Sequence, residues 1–248
     1  MNVVYFVSVI HVSTDRASTP RAIRREGATQ RILDTAEAIL GGEGMDALTM
    51  QRLAKDLGFT VGATYRYFAS KEAIVAALQR RVIAALATDL AEMLDAKIDD
   101  PLVRVAVVAR IYTSLASRRP LHARLLSRMM GEPENVLDAA HATPNLQLAV
   151  EIGAIGVREL SAARASGALD AGQDMERGLV LWASLSGVAQ TRKLERWQVP
   201  GLSTDALADH LVETLLVGWG ADAKKTRAAM SLAEKLVAVE ANQTEKKR

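Results

Sequence analysis

Apolar side chains recur every three or four residues over most of the chain, a spacing that places them on one face of an α-helix. The first such face follows Ala28 and is made of Ile32, Leu33, Ala36, Ile39 and Leu40. A second helix is predicted between Thr49, whose hydroxyl can cap its first turn, and Gly58, which can end a helix at little cost. The pattern therefore predicts two amphipathic helices before residue 59.

The same spacing continues to the end of the chain. Thr60 can cap a very short third helix that ends near Phe68, and a fourth helix is predicted from Lys71 to about Lys97. After the break at Asp99-Asp100-Pro101, helices are predicted near 101–118, 120–131, 144–166, 173–196, 203–220 and 223–241. The predicted fold class is all-α.

Composition excludes several classes of protein. Apolar residues make up 49% of the chain and aromatic residues only 4%, so the core must consist mainly of aliphatic side chains. The absence of cysteine rules out a disulfide scaffold and a thiolate metal site. No paired histidines, P-loop or nucleophile elbow is present, so we expect neither an enzyme nor a bound metal or cofactor. No stretch is long and apolar enough to span a membrane, and we expect a cytoplasmic protein.

The net charge is only +2, so any binding to nucleic acid must depend on local basic patches. One such patch lies in residues 16–31, with five arginines against Glu26 alone. Residues 1–27 are predicted to be a poorly ordered extension, in which Arg21, Arg24 and Arg25 form a possible minor-groove arm. A solvated leader is the alternative for these arginines. For the β-branched residues 3–12 we favour a poorly ordered extension or an unused start codon over a short pairing strand.

The segment TMQRLAKDLG-FTV-GATYRYF consists of two short predicted helices joined by a turn that contains glycine. This arrangement is typical of a helix-turn-helix. The third helix carries Tyr65, Arg66 and Tyr67, with Thr60 at its start. Hydroxyls and cations bind phosphate oxygens, and an exposed arginine can read guanine in the major groove. The alternative is that Tyr65 and Phe68 are core residues, which we accept for Phe68.

Residues 49–78 resemble the DNA-binding domain of the TetR family of bacterial transcriptional regulators. The matching residues are Thr49, Ala54, Gly58, Gly62, Tyr65, Phe68, Ser70, Lys71 and Glu72. The resemblance implies phosphate contacts by Thr49, Tyr65, Tyr67 and Lys71, and reading of bases by the start of the third helix. That start is Val61, Gly62 and Ala63, which can offer thymine-methyl contacts, so hydrogen bonding to bases would depend on Arg66 and Thr60.

The resemblance also implies a homodimer and a C-terminal ligand-binding domain. We therefore divide the chain into a DNA-binding domain at 28–75, a ligand-binding and dimerisation domain at 76–222, and a C-terminal helix with a charged tail at 223–248. The helices near 173–196 and 203–220 look like the family's dimerisation pair. Their contact residues would be Trp182, Leu207, Leu211, Leu215 and Trp219, although both stripes could instead belong to the internal core.

The helices from about 101 to 166 are expected to enclose a small-molecule pocket with a few polar groups in an apolar wall. The candidate lining residues are Arg110, Tyr112, His122, Met129, Met130, Glu151, Arg158 and Trp182. For each residue taken singly, a core position or a solvated face is the simpler interpretation.

The predicted function is that of a ligand-responsive homodimeric transcriptional regulator. It would repress from a palindromic double-stranded DNA operator and be released by a small-molecule effector. The alternative is a helical protein that binds or sequesters small molecules and has little sequence-specific DNA binding, for which the apolar Val61-Gly62-Ala63 stretch is the only indication.

Overall fold

The structure, a computed structural model, describes residues 19–95, 98–131, 139–199 and 203–246. The side chains of 129–131, 139–144, 146 and 240–246 lie outside that description.

A capping residue and a proline set the start of the first helix. Helix α1 spans Pro20–Gly42, with Pro20 in its first turn. The side-chain oxygen of Thr19 accepts a hydrogen bond from the amide of Ala22 at 3.3 Å and caps the helix.

This start differs from the sequence prediction, which leaves the chain up to residue 27 without regular structure. The apolar pattern begins only with Ile32, whereas the cap and proline begin a helix that has no apolar face in its first turns. Residues 3–12, for which a pairing strand is the alternative to an unstructured extension, and the patch residue Arg16 lie outside the described residues.

Nine further helices follow in the described ranges, and these ranges contain no strand, which confirms the all-α prediction. They are α2 (Met50–Leu57), α3 (Val61–Tyr65), α4 (Lys71–Asp95), α5 (Pro101–Arg118), α6 (Pro120–Gly131), α7 (Ala139–Ala165), α8 (Asp174–Glu195), α9 (Thr204–Gly218) and α10 (Ala223–Lys246). Helix α7 begins earlier than predicted and includes Pro144 in its second turn.

The chain forms two compact units. The first comprises the residues up to Leu86 together with Leu121–Leu148, and the second comprises Ala87–Pro120 together with Ala149–Arg248. The predicted DNA-binding domain at 28–75 lies within the first unit, which also contains most of α4, α6 and the start of α7.

The core of the first unit is formed by the apolar faces of α1, α2 and α4, where Ile32, Leu53 and Ile74 are fully buried. A buried amide pair adds polar cross-links. Asn145 Nδ2 donates to Gln79 Oε1 at 3.0 Å, and Gln79 Nε2 donates to the carbonyl of Leu125 at 3.3 Å. These bonds join α4, α6 and α7 because each buried donor must find an acceptor.

The second unit is built around α5. Three consecutive residues of α5, Val105, Ala106 and Val107, are buried, so this helix is enclosed on all sides. It packs against α10, α9 and α8. At Gly178 of α8, an added Cβ would lie 2.6 Å from Cγ2 of Val157, so α7 and α8 approach as closely as only glycine allows.

Candidate DNA-binding surface

Helices α2 and α3 and the turn between them are fixed by three local features. The side-chain oxygen of Thr49 accepts from the amide of Arg52 at 3.1 Å and caps α2. Gly58 ends α2 with φ of 66°, in the left-handed region. The side-chain oxygen of Thr60 then accepts from the amide of Ala63 at 3.1 Å and caps α3. The helix-turn-helix predicted from the sequence is thus formed by its own caps.

Helix α3 presents its base-reading candidates to solvent. Val61 is 39% exposed and Tyr65 is 51% exposed, and Gly62 and Arg66 are also exposed. Ala63 and Tyr67 are half-buried. Thr64 and Phe68 face the core, and Thr64 donates from its hydroxyl to the carbonyl of Thr60 at 3.4 Å. The core interpretation therefore holds for Phe68 and not for Tyr65.

A stack of three side chains joins α1 to the helix-turn-helix. The guanidinium carbon of Arg31 lies 5.6 Å from the centre of the Phe59 ring. The ring centres of Phe59 and Tyr67 lie 6.3 Å apart and the rings are inclined by only 23°. Arg31 is therefore held beside the turn that precedes α3. The site residues chosen from the sequence omit it, because only the fold brings Arg31 to Phe59.

Lys71, which the family resemblance implies is a phosphate ligand, has a partner within the first unit. Its Nζ donates to the carbonyl of Met45 at 2.6 Å, in the loop between α1 and α2. An ammonium group has two further hydrogens, so this bond leaves donors for another acceptor. The bond orients the lysine and ties the start of α4 to that loop.

The three arginines of the possible minor-groove arm lie on α1. Arg21, Arg24 and Arg25 are all exposed in the first two turns of this helix. They are therefore presented by a helix rather than by an extended segment.

Three candidate ligand-binding residues of the second unit have their own surroundings. Arg110 Nη2 lies 2.8 Å from Asp209 Oδ1 in the second unit. The Tyr112 hydroxyl lies 2.7 Å from Ser186 Oγ, and burial raises the pKa of Tyr112 although its hydrogen bond with Ser186 opposes that rise. Trp182 is partly exposed on α8.

The other candidates are described unit by unit. His122 belongs to the first unit, where its Nε2 lies 2.8 Å from Oε1 of Glu37. Glu151 is exposed, and Arg158 pairs with Glu159 at 2.9 Å. The side chains of Met129 and Met130 lie outside the described residues.

One small cavity of the second unit lies beside the Arg110–Asp209 pair. Its volume is about 10 Å³, which is the space of a single water molecule. It is lined by residues of α5, α9 and α10, namely Ala106, Ala109, Arg110, Thr113, Ala208, Asp209, Val212 and Met230. Of the predicted ligand residues, Arg110 contributes to this cavity.

Helices α8 and α9 carry the residues predicted for dimerisation. Leu207, Leu211, Leu215 and Trp219 are half-buried. The more exposed apolar residues lie on α8, where Met175, Leu179 and Trp182 are 59%, 56% and 37% exposed. These three share one face, because they are four and three residues apart. The sequence prediction omits Met175 and Leu179, although their spacing from Trp182 is a readable signal.

The part of the chain that the structure describes contains neither a metal-binding cluster nor a membrane-spanning helix. Within those residues, no group of three histidine, aspartate or glutamate side chains is placed to hold a metal ion. None of the described helices combines the length and apolar character needed to cross a membrane.

Comparison of the sequence with known proteins finds one matching family model and several partly matching relatives. A family model of the bacterial regulatory proteins of the tetR family matches residues 32–78. The nucleoid occlusion factor SlmA of Vibrio campbellii is 31% identical over 124 residues, which are 49% of this chain and 61% of that protein. SlmA of Haemophilus ducreyi is 34% identical over 101 residues, 40% of this chain and 48% of that protein. The chain thus matches no more than about three fifths of the length of these relatives.

Comparison with solved structures extends over more of the chain. A protein of unknown function from Rhodococcus sp. RHA1 has a TM-score of 0.65 at 21% identity, covering 77% of this chain and 94% of that one. A TetR/AcrR regulator from Thermobifida fusca has a TM-score of 0.59 at 21% identity, covering 78% and 98%. RolR in complex with resorcinol has a TM-score of 0.60 at 18% identity, covering 85% and 96%. Such identities establish a shared fold alone.

Proposed function

We propose that the chain, whose residues 32–78 match the family model of the bacterial regulatory proteins of the tetR family, is a homodimeric repressor of that family without enzymatic activity. It would bind a palindromic operator and be released by a small-molecule effector. The observation that carries this proposal is the exposed surface of Val61, Tyr65 and Arg66 on a helix-turn-helix fixed by its own caps. Such a protein acts on the chromosome, so we place it in the bacterial cytoplasm.

Each residue of this surface has a distinct task in the proposed complex. Thr49, Tyr65, Tyr67 and Lys71 bind phosphate oxygens, which sets the position of the protein on the duplex. Val61, Gly62 and Ala63 contact thymine methyl groups, while Thr60 and Arg66 supply the hydrogen-bonding groups that distinguish bases. Gly62 has no side chain and Ala63 has only a methyl group, so the backbone of α3 can approach the floor of the major groove.

A homodimer would supply the affinity that one short recognition helix lacks. Two copies of α3 bind two half-sites when their separation matches one turn of DNA, about 34–36 Å. The exposed face formed by Met175, Leu179 and Trp182 supports a twofold contact through α8, with α9 beside it. A contact of this kind has the same residues on both sides, so one apolar face is sufficient.

An effector site in the second unit is supported by the shared fold with RolR, whose structure holds resorcinol. A cavity of about 10 Å³ is too small for such a ring, because ligand pockets usually have about 300–1,000 Å³. Ligand binding beside Arg110 would therefore have to move α9 or α10 away from α5. A ligand that favours the moved conformation would shift the population away from operator binding.

The proposal is tested with the purified full-length chain and the DNA upstream of its own gene. We expect a footprint of two symmetric half-sites, and an affinity that falls steeply with salt and exceeds that for scrambled DNA of the same length. Equal affinity for the two DNAs would contradict the proposal. That result would favour the alternative of a small-molecule-binding protein without an operator.

A second candidate role is nucleoid occlusion, because the relatives that are 31–34% identical carry that name. Mapping of the bound sites on the chromosome separates the two roles. A few sites beside regulated genes would support the repressor, and sites distributed over much of the chromosome would support nucleoid occlusion.

A further inference from the structure

The first three turns of α1, residues 20–31, extend beyond the core of the first unit. Every residue from Pro20 to Gly27 is exposed, and the first buried residue of the helix is Ile32. The family match also begins only at residue 32. We call residues 20–31 the helical extension.

The basic and acidic side chains of the helical extension lie on opposite faces of the helix. It holds four arginines and a single acid, Glu26, whose carboxylate accepts a hydrogen bond from Gln30 at 2.7 Å. At 3.6 residues per turn, Arg21, Arg24, Arg25 and Arg31 fall within an arc of about 120°. Glu26 and Gln30 lie on the opposite side of the helix by the same geometry. The extension therefore has one basic stripe and one face with no positive charge.

The stripe begins at the helix-turn-helix. Arg31 is its C-terminal member, and the guanidinium of Arg31 lies over Phe59, the residue just before the cap of α3. Because α1 is continuous, the remaining arginines follow from this anchor over about 15 Å, at 1.5 Å per residue. The basic stripe is thus continuous with the proposed DNA-binding surface.

The helical form decides how these arginines can meet DNA. An α-helix with side chains is about 10–12 Å wide, whereas the minor groove of B-DNA is only about 6 Å wide. A helix cannot enter that groove, but its guanidinium groups can donate to the phosphate oxygens along its edge. The extended arm expected from the sequence is therefore replaced by a rigid row of cations.

We infer that the helical extension binds the phosphate backbone of duplex DNA beside each half-site, through Arg21, Arg24 and Arg25. This inference rests on the proposed function, since it needs the adjacent recognition helix on DNA. The extension then contributes to the affinity for DNA and not to its sequence specificity, because phosphates are the same at every base pair.

The test uses the full chain with Arg21→Ala, Arg24→Ala and Arg25→Ala combined. A matched control removes three exposed lysines of the second unit, Lys224→Ala, Lys225→Ala and Lys235→Ala, and so makes the same change in net charge. All six side chains are exposed, so the melting temperatures of both variants should equal that of the wild type.

The readouts are the dependence of operator affinity on salt and the hydroxyl-radical footprint. Each lost phosphate contact should lower the slope of log affinity against log salt by about 0.9, so the arginine variant should lose about 2.7 per subunit. Its footprint should shorten at both outer edges, while the lysine control behaves as the wild type.

Three results would overturn the inference. If the arginine variant and the lysine control have equal slopes and footprints, the extension does not touch DNA and the repressor proposal stands. If exchanging A·T for G·C pairs in the flanks weakens the wild type but not the arginine variant, the arginines read the minor groove. If the wild type itself binds no DNA, the proposed function fails as well.

Discussion

Arg104 holds both carboxylate oxygens of Glu159, with Nε 2.6 Å from Oε2 and Nη2 3.2 Å from Oε1. The side chain of Glu159 is only 2% exposed, and it also accepts a hydrogen bond from Arg158 at 2.9 Å. Arg104 Nη1 in addition donates to the carbonyl of Leu94 at 2.8 Å, near the end of α4. One guanidinium of α5 therefore joins α4 and α7 within the second unit.

Replacing Glu159 by alanine should lower the free energy of unfolding by about 3–5 kcal/mol, because it leaves the guanidinium of Arg104 without its carboxylate partner. Denaturant unfolding measures this change. Glu151→Ala is a matched control on the same helix, since Glu151 is exposed and should change stability by less than about 0.5 kcal/mol. Equal stability of the two variants would show that the Arg104–Glu159 pair contributes nothing.

The same pair should make stability depend on pH. Burial alone would raise the pKa of Glu159, but the hydrogen bonds and charges of Arg104 and Arg158 outweigh burial and hold the pKa below its ordinary value of 4.5. A carboxyl group whose pKa is lower in the folded chain stabilises the fold above its unfolded pKa, and that contribution is lost as the pH falls through the folded pKa.

The stability difference between the wild type and Glu159→Gln should therefore be constant at neutral pH and shrink below about pH 4.5. Unfolding of both proteins in a series of buffers measures it. A difference that grows on acidification would mean that the pKa of Glu159 is higher in the folded chain than in the unfolded chain.

Arg66→Ala should change which sequences are bound without changing the fold. Arg66 is exposed, so we expect no loss of stability, while discrimination at one base pair of each half-site should fall by about 1–3 kcal/mol. Binding to a set of operators with single substitutions measures this. The exposed Arg118→Ala is the control for loss of an arginine. A uniform loss of affinity on every sequence would place Arg66 on a phosphate instead.

Lys71→Ala should have two effects, since the ammonium also donates to Met45. We expect the salt slope of operator binding to fall by about 1 for each subunit. The free energy of unfolding should fall by about 1.5–3 kcal/mol, because the hydrogen bond of a charged group to a carbonyl is lost. Lys235→Ala, on an exposed lysine of α10, is the control. Lower stability with an unchanged slope would leave Lys71 a structural role only.

Leu179→Arg should convert the protein to monomers. Leu179 is 56% exposed within one subunit, so arginine fits there without disturbing the fold, but in a twofold interface it would be an unpaired buried charge. Light scattering gives the mass, and circular dichroism confirms that the helices persist. Leu232→Arg, 46% exposed on α10, should leave the mass unchanged. A Leu179→Arg protein of unchanged mass would place the interface elsewhere.

The helix-turn-helix was predictable from sequence because its determinants are local. Thr49, Gly58 and Thr60 act on amides and backbone angles within three residues of themselves, so their effect is visible in the sequence. The start of α1 depends on equally local residues, Thr19 and Pro20, but an exposed helix has no apolar face and so gives no periodic signal.

The candidate ligand residues were less predictable because their partners are distant in sequence. Arg110 pairs with Asp209, and His122 contacts Glu37. An arginine or histidine on an otherwise apolar helix can line a pocket or satisfy a distant carboxylate, and sequence spacing does not distinguish the two. The position of Arg31 over Phe59 was hidden for the same reason.

The enclosure of α5 has a consequence for hydrogen exchange. Amides in a helix covered on all sides cannot exchange through small local openings, so those of Val105–Val107 should exchange only when the second unit unfolds as a whole. Their exchange rates therefore report the global stability of that unit directly. An effector that loosens the packing on one side of α5 would allow a local opening there, which would appear as faster exchange at these amides before any change in helix content.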